Sequence, residues 1–312
     1  MFTHLHWHST FSFLEWIGKV PQLLGKAKDL WMQSIAITDY NWLFSAVSFY
    51  KEAKDKWIKP IIWVELWFVI DIETNYDEKN IWNICIIAKN WKWYESLVKL
   101  VSFANTEWLK GKQKIDIKTL KKYSDWIIVF AGWVKSWIGK LIENNEKDEK
   151  IIEILNMQKD VVWGENIFLE IVAQNYEKVK TLNKINDKLL EISKITNIEC
   201  IVNNDFHYIN KEDKPAWEIA LAIKDGHKIY DDNRRKPEWD FHIFSEEEIR
   251  QTLQANSFEN ELIDKLISTN NKIAENIETK IELWQSLFPN YESPEDIIQI
   301  YEKYKDELII PA

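Results

Sequence analysis

The sequence predicts an α/β protein: a ring of about seven parallel βα units, rather than an open sheet, followed by a mostly helical part. Three observations support that expectation. Short apolar runs alternate with amphipathic stretches through the first 210 residues, the alternation repeats about seven times, and from Lys211 onward only helical spacing remains.

The first run, Phe2–Trp7, reads as a strand. Val20, Leu23, Leu24, Ala27 and Leu30 then share one helical face, with Pro21 near the start, where a helix tolerates it. Further strands are expected at Ser34–Thr38, Pro60–Glu65, Asn83–Ala88, Trp126–Ala131, Asn166–Ile171 and Cys200–Asp205. Before the last of these, Glu177–Ile195 places Val179, Leu182, Ile185, Leu189 and Ile192 on one helical face. Helices are expected at Asp213–Lys224, Ser245–Gln254 and Glu259–Glu278, the second opened by a capping box of Ser245 and Glu248. Ser286–Ala312 carries prolines at 289, 294 and 311 with little apolar periodicity, and reads as a connector with one short helix. The expected division is therefore 1–285, a barrel domain with its helical C-terminal part, and 286–312, a connector or a truncated tail.

Composition excludes several classes. Hydrophobic residues make up 46% of the 312 and charged residues 29%, which argues against disorder. With 50 acidic against 40 basic residues the net charge is −10, so the whole chain has no attraction for nucleic acid, although a local basic groove is compatible with it. No apolar run approaches the roughly 20 residues of a membrane helix, and the N-terminus lacks a signal-peptide pattern. A cytoplasmic location without membrane contact is expected. Two cysteines, Cys85 and Cys200, make no disulfide framework, and Cys85, on an apolar run, reads as a packing residue.

One pair of counts is abnormal: 18 Trp against 7 Gly, where a chain of this length typically carries roughly 22 Gly. The tryptophans also stand in glycine positions. Trp31 and Trp57 directly follow helical stretches, where a residue with positive φ is expected. Asn41-Trp42, Asn90-Trp91 and Asp125-Trp126 sit where Asn-Gly and Asp-Gly turns belong. The pattern is that of a gene in which UGA encodes glycine, translated as though UGA encoded tryptophan. A Trp-rich carbohydrate binder is the alternative, but it leaves the glycine deficit unexplained.

Three of the six histidines open the chain as His4-Leu5-His6-Trp7-His8, and on a strand all three would share a face. Asp205-Phe206-His207 places a carboxylate and an imidazole on one side in the same way. Imidazoles and carboxylates are the donors of zinc, manganese and iron sites, and barrel sites gather at strand C-termini.

These segments, with Ala36-Ile37-Thr38-Asp39-Tyr40, Ile58–Glu65 and Asn204-Asp205-Phe206-His207-Tyr208, resemble the polymerase and histidinol phosphatase (PHP) domain. The version resembled is the one at the N-terminus of bacterial DNA polymerase III alpha subunits, and the likeness runs from Met1 to about Pro294. In that family glycine is expected at positions 16, 31, 57 and 63, all Trp here. The resemblance implies a distorted (β/α)7 TIM-like barrel, the PHP fold, built to hold up to three metal ions for phosphoester hydrolysis. It implies His6, His8, Glu15, Glu65, Asp205 and His207 as metal ligands, with Asp39 and His4 in supporting positions. Three ligand slots depart from the family: Tyr40 and Asn83 replace histidines, and Trp133 (glycine if recoded) replaces a Cys or His.

Hydrolysis at such a site needs metals that lower the pKa of a bound water and neutralise phosphoryl charge. A reduced ligand set therefore implies one or two divalent ions (Zn, Mn, Fe or Mg), weak or absent phosphoesterase activity and a mainly structural role. The resemblance further implies DNA replication, with the remaining polymerase domains, the proofreading exonuclease subunit and other replicase subunits as partners, and DNA reached through the holoenzyme. The palm carboxylates that polymerise nucleotides are absent from this sequence. The alternative is a stand-alone PHP metal-dependent phosphoesterase or 3′-5′ exonuclease, which should retain His at 40 and 83.

Overall fold

A computed structural model describes residues 2–73, 81–106, 113–123, 127–162, 165–237, 239–283 and 295–305. Strands β1 (Ser34–Tyr40), β2 (Lys59–Val69), β3 (Trp82–Ala88), β4 (Ile115–Asp116), β5 (Ile127–Ala131), β6 (Ile167–Val172) and β7 (Cys200–Asn203) form one sheet. Their order is β1-β2-β3-β5-β6-β7, with β4 paired to β2. Helices α1 (Val20–Asp29), α2 (Ala46–Asp55), α3 (Trp91–Thr106), α4 (Ile117–Lys122), α5 (Trp137–Glu143), α6 (Asp148–Val161) and α7 (Lys180–Thr196) alternate with the strands. Then α8 (Lys214–Lys224), α9 (Glu246–Ala255) and α10 (Asn260–Glu275) follow without further strands. These elements belong to one compact unit, Met1–Ile281. The second unit, Glu282–Ala312, contains α11 (Glu295–Tyr304). Part of the expected connector, 286–294 and 306–312, and Trp126 of the fifth expected strand lie outside the described residues.

The sheet is mixed, which corrects the expectation of parallel βα units throughout. β1–β2, β5–β6 and β6–β7 pair in parallel, but β3 runs antiparallel to both β2 and β5. Positions 70–81, between β2 and β3, show no helical apolar repeat. A parallel return needs a crossover, usually a helix, whereas an antiparallel return does not.

Each strand buries both faces, as expected when a sheet is covered on both sides. Val64, Leu66, Ile84, Ile86, Val129, Leu169 and Val202 pack outward in one large apolar cluster with residues of the flanking helices. The alternate residues Ala36, Ile61, Trp63, Cys85, Ile87, Ile128, Phe130 and Ile201 form a second, inner cluster. The functional side chains continue this inner face.

The expected strand Phe2–Trp7 is an extended segment whose single ladder contact is a parallel bridge from Trp7 to Phe206. Backbone bonds to β1 and side-chain amides supply part of what a regular ladder would otherwise provide. The backbone carbonyls of His4 and Trp7 accept from Ala36 and Thr38 of β1 at 3.0 and 2.6 Å. The N–H of Leu5 donates to the Asn203 carboxamide at the end of β7 (2.9 Å). From α10, the buried Asn270 amide donates to the carbonyls of Thr3 (3.0 Å) and Val202 (2.7 Å).

The helix ends bear on the tryptophan question. After α1, Trp31 has φ 59°, its N–H bonds to the Lys28 carbonyl, and Met32 bonds to Ala27. After α2, Trp57 has φ 61°, with Trp57 to Lys54 and Ile58 to Ala53 bonds. Both are Schellman ends, which favour glycine at the left-handed position because it has no Cβ. The equivalent position after α8 is Gly226, at φ 71° with the same pair of bonds. Trp31 and Trp57 are 85% and 92% exposed, so their indoles gain almost nothing from packing. Replacing either by glycine relieves a left-handed cost of about 1–2 kcal/mol, partly offset by the looser unfolded chain. Trp31→Gly and Trp57→Gly are each expected to stabilise the protein by about 1 kcal/mol in urea unfolding; a loss of stability would contradict this account.

Candidate metal centre

Strand alternation carries Glu65 to the inner face of β2, two residues past Trp63. In register beside it, β1 supplies Tyr40 and antiparallel β3 supplies Cys85, with Asn83 opposite Trp67. β6 contributes Glu170 and β7 ends in Asn203. The N-terminal segment runs across this mouth, and Asp205 and His207 follow β7. Asp205 holds φ 46°, a strained backbone of the kind concentrated at functional sites.

Most of the expected ligands converge. The buried ring of His6 lies with Nε2 3.0 Å from Glu65 Oε2 and 3.5 Å from Cys85 Sγ. Nε2 of the buried His8 lies 3.3 Å from Glu65 Oε2 and has no hydrogen-bond partner. Donor atoms of His6, His8 and Asp205 lie within 4.8 Å of one another, as do those of His6, Glu65 and Cys85. His207 donates Nδ1–H to the Glu15 carbonyl (2.8 Å), which leaves Nε2 facing Asp205 at 3.4 Å.

Other expected residues are placed differently. The carboxylate of Glu15 meets two ammonium groups, Lys135 at 3.8 Å and Lys224 in direct contact. His4 donates to the Phe244 carbonyl at 2.7 Å and packs between Phe2 and Phe206, away from the cluster. The segment is not a regular strand there, so the three histidines do not share a face. Asp39 touches no ligand: it accepts from the N–H and hydroxyl of Ser9 (2.8 Å each), the Ser12 hydroxyl (3.0 Å) and the Ser45 hydroxyl.

Each departing slot has another occupation. Tyr40 stacks on His8 at 4.1 Å and its hydroxyl accepts from Lys135 at 2.8 Å. Asn83 donates its amide to Glu65. Trp133 packs edge-on against His6, the centroids 5.4 Å apart, and Trp63 lies over the same ring at 5.9 Å.

Charges follow this arrangement. For His6, burial pulls the pKa down, but Cys85 and Glu170 offset that and hold it above the ordinary value. Burial would raise Glu65, yet the His6 and His8 rings hold its carboxyl far below the usual range. Burial likewise opposes ionisation of Glu15, and Lys135 followed by Lys224 brings it to about 2. Beside the cluster a cavity of about 290 Å³ is lined by Glu15, Asp205 and His207, with Lys135 and Arg235 among its cations. Arg235 is already engaged by both carboxylate oxygens of Asp225, at 3.0 Å.

The sequence reading missed Glu170. Its carboxylate is fully buried, accepts from His6 Nδ1 at 2.9 and 3.1 Å, and accepts from the Asn203 amide at 3.3 Å. The available signal was an acid inside the apolar run Phe168-Leu169-Glu170-Ile171-Val172, since a buried charge requires partners. Lys135 and Lys224 carry no comparable signal. The donor set of imidazole, carboxylate and thiol, with the orphaned His8 Nε2 inside it, fits a divalent ion. Such an ion would supply a water of lowered pKa and charge neutralisation for a phosphoryl group. Among the described residues no helix is long and apolar enough to cross a membrane.

The PHP domain family matches residues 4–174. The chain is 33% identical over 299 residues to the DNA polymerase III subunit alpha of Borreliella burgdorferi, covering 94% of this chain and 25% of that protein. To the same subunit of Aquifex aeolicus it is 29% identical over 324 residues, covering 98% and 27%. The chain thus spans about a quarter of the length of these curated relatives. Among solved structures it is similar to a two-domain protein of Bacteroides vulgatus containing a predicted PHP-like metal-dependent phosphoesterase. That likeness is at 13% identity and a TM-score of 0.41, over 73% of this chain and 56% of that one.

Proposed function

This chain belongs to the PHP domain family, and on that premise we propose that it acts as the N-terminal PHP part of a replicative DNA polymerase III alpha subunit. In this reading its metal site is reduced to a single divalent ion, and its role is to support the polymerase and bind partners. The observation that carries the reading is the extent of the likeness. The alignments with alpha subunits take in 94% and 98% of the chain, well past residue 174, where the family match ends. The partners are the remaining polymerase domains, the proofreading exonuclease subunit and other replicase subunits, with DNA reached through that assembly. Residues 286–312 serve as the connector. The distorted (β/α)7 barrel belongs to the same reading, with the N-terminal segment filling the gap between β1 and β7; its bonds to Ala36, Thr38 and Asn203 support this.

The single-ion reading draws on the replaced slots. The Lys135 ammonium sits on Tyr40, next to Glu15, and Lys224 reaches the other side of that carboxylate. Two fixed positive charges there neutralise Glu15 and repel a second cation. Asn83 offers Glu65 an amide hydrogen where the family offers a metal an imidazole nitrogen. Metal analysis of the purified chain is expected to give one ion per chain, and nuclease and phosphatase assays in manganese to stay at background. Two or more ions, with turnover of DNA 3′ ends or small phosphate esters, would overturn the reading in favour of the stand-alone enzyme.

The tryptophan reading joins the same proposal: Trp31, Trp57 and others are glycine in the native protein. Their left-handed backbones support it, as do the buried indole N–H groups of Trp7 and Trp63, which have no hydrogen-bond partner. A native peptide mass carrying an intact Trp57 would refute it.

A further inference from the structure

We propose that the ion is held through Cys85, a thiolate ligand from β3 that replaces the one lost at Asn83. The proposal rests on the single-ion reading above. Asn83 and Cys85 lie two residues apart on β3, so both address the inner face, with Cys85 one step deeper and in register with Glu65. Around His6 Nε2, Glu65 Oε2 lies at 3.0 Å and Cys85 Sγ at 3.5 Å, and Glu65 Oε2 is 3.3 Å from His8 Nε2. Donors around a tetrahedral zinc ion with ordinary bond lengths stand about 3.3–3.6 Å apart. These three spacings lie within about 0.3 Å of that range.

Two further observations point to a ligand here. His8 Nε2 is completely buried, faces this group and has no hydrogen-bond partner. The other nitrogen of His6 is engaged by Glu170, which leaves Nε2 as its donor, able to serve one ion only. With Nδ1 so engaged, the sets His6–Glu65–Cys85 and His6–His8–Asp205 would compete for Nε2. The first is buried throughout, and His8, whose Nε2 lies 3.3 Å from Glu65 Oε2, would complete it as fourth ligand. On binding, a bond forms between Cys85 Sγ and the metal, and the thiol proton leaves to solvent. A site of two imidazoles, one carboxylate and one thiolate selects zinc over magnesium or manganese, which suits a structural ion.

X-ray absorption at the zinc edge of the purified, zinc-loaded Cys200→Ser chain is expected to show one sulfur at about 2.3 Å beside nitrogen and oxygen donors at about 2.0–2.2 Å. With cobalt(II) instead, the wild type should show a near-ultraviolet thiolate charge-transfer band, kept in Cys200→Ser and lost in Cys85→Ser. Zinc affinity in Cys85→Ser should fall at least tenfold, the lower bound for disturbing even an indirect metal contact. One bound ion with a nitrogen–oxygen shell alone, or a band that survives Cys85→Ser, would overturn the thiolate assignment and leave the single-ion reading standing. A wild-type chain that binds neither zinc nor cobalt would overturn both.

Discussion

Replacing Asp39 by alanine is expected to destabilise the protein by about 3 kcal/mol, since each buried donor left without its acceptor costs roughly 1–3 kcal/mol. The carboxylate is the shared acceptor of three serine hydroxyls and the Ser9 N–H. Those serines come from separate parts of the chain: Ser9 and Ser12 from the N-terminal loop, Ser45 from the start of α2. Rotation of the hydroxyls recovers part of the loss, which keeps the figure below the sum of four bonds. Asp39→Asn retains an acceptor oxygen and should cost about half as much. Ser12 also stands 3.4 Å from His8 Nδ1, so the variant should loosen His8 and weaken metal binding. Urea unfolding with and without a chelator separates the two effects. A midpoint for Asp39→Ala equal to wild type would show that the serines find equivalent partners elsewhere.

The second large effect is expected at Glu170. Its carboxylate fixes the His6 ring by holding Nδ1–H, which turns Nε2 toward Glu65 and Cys85. Partners of this kind, behind a metal-binding histidine, are worth about 10–100-fold in affinity. Glu170→Ala is therefore expected to weaken zinc binding by about that factor in a chelator competition. Glu170→Gln keeps an acceptor for Nδ1–H but loses the charge, and should fall between alanine and wild type. If both variants bind zinc as wild type does, Glu170 is a packing residue whose burial has another cause.

The contrast between Glu170 and Glu65 shows what the sequence could reveal. Glu65 was found through its resemblance to a known segment, and His6, His8, Asp205 and His207 through spacing at strand ends. Those signals are local, and the structure brings the five side chains to one mouth. Glu170 belongs to no motif, and its meaning depends on a ring 164 positions earlier in the chain. The resemblance implies Glu15 as a ligand from its slot alone, but its neighbours Lys135 and Lys224 are 120 and 209 positions away in sequence and alter its chemistry.

The strands show a similar limit. β1, β2, β3, β5 and β6 are legible from their apolar runs, and β7 is the first four residues of the expected run Cys200–Asp205. The direction of β3 was not, because an apolar run looks the same read either way. The missing helical repeat in 70–81 was the one available clue. β4, two residues long, is too short to produce periodicity. Left-handed helix ends were legible for a chemical reason: glycine positions are sterically demanding enough that a tryptophan there stands out.

The grip on the N-terminal segment sets an order of events during synthesis. His6 and His8 precede in the chain the groups that hold them. The groups that hold their backbone in place include Asn203 and the Asn270 amide, the latter 267 positions later than the Thr3 carbonyl it binds. Loop closure over such spans is slow compared with helix formation. The nascent chain therefore carries its histidines unassembled until α10 has emerged, and an ion could be captured only after that point. A ribosome stalled before residue 270 should present a chain that leaves zinc unbound.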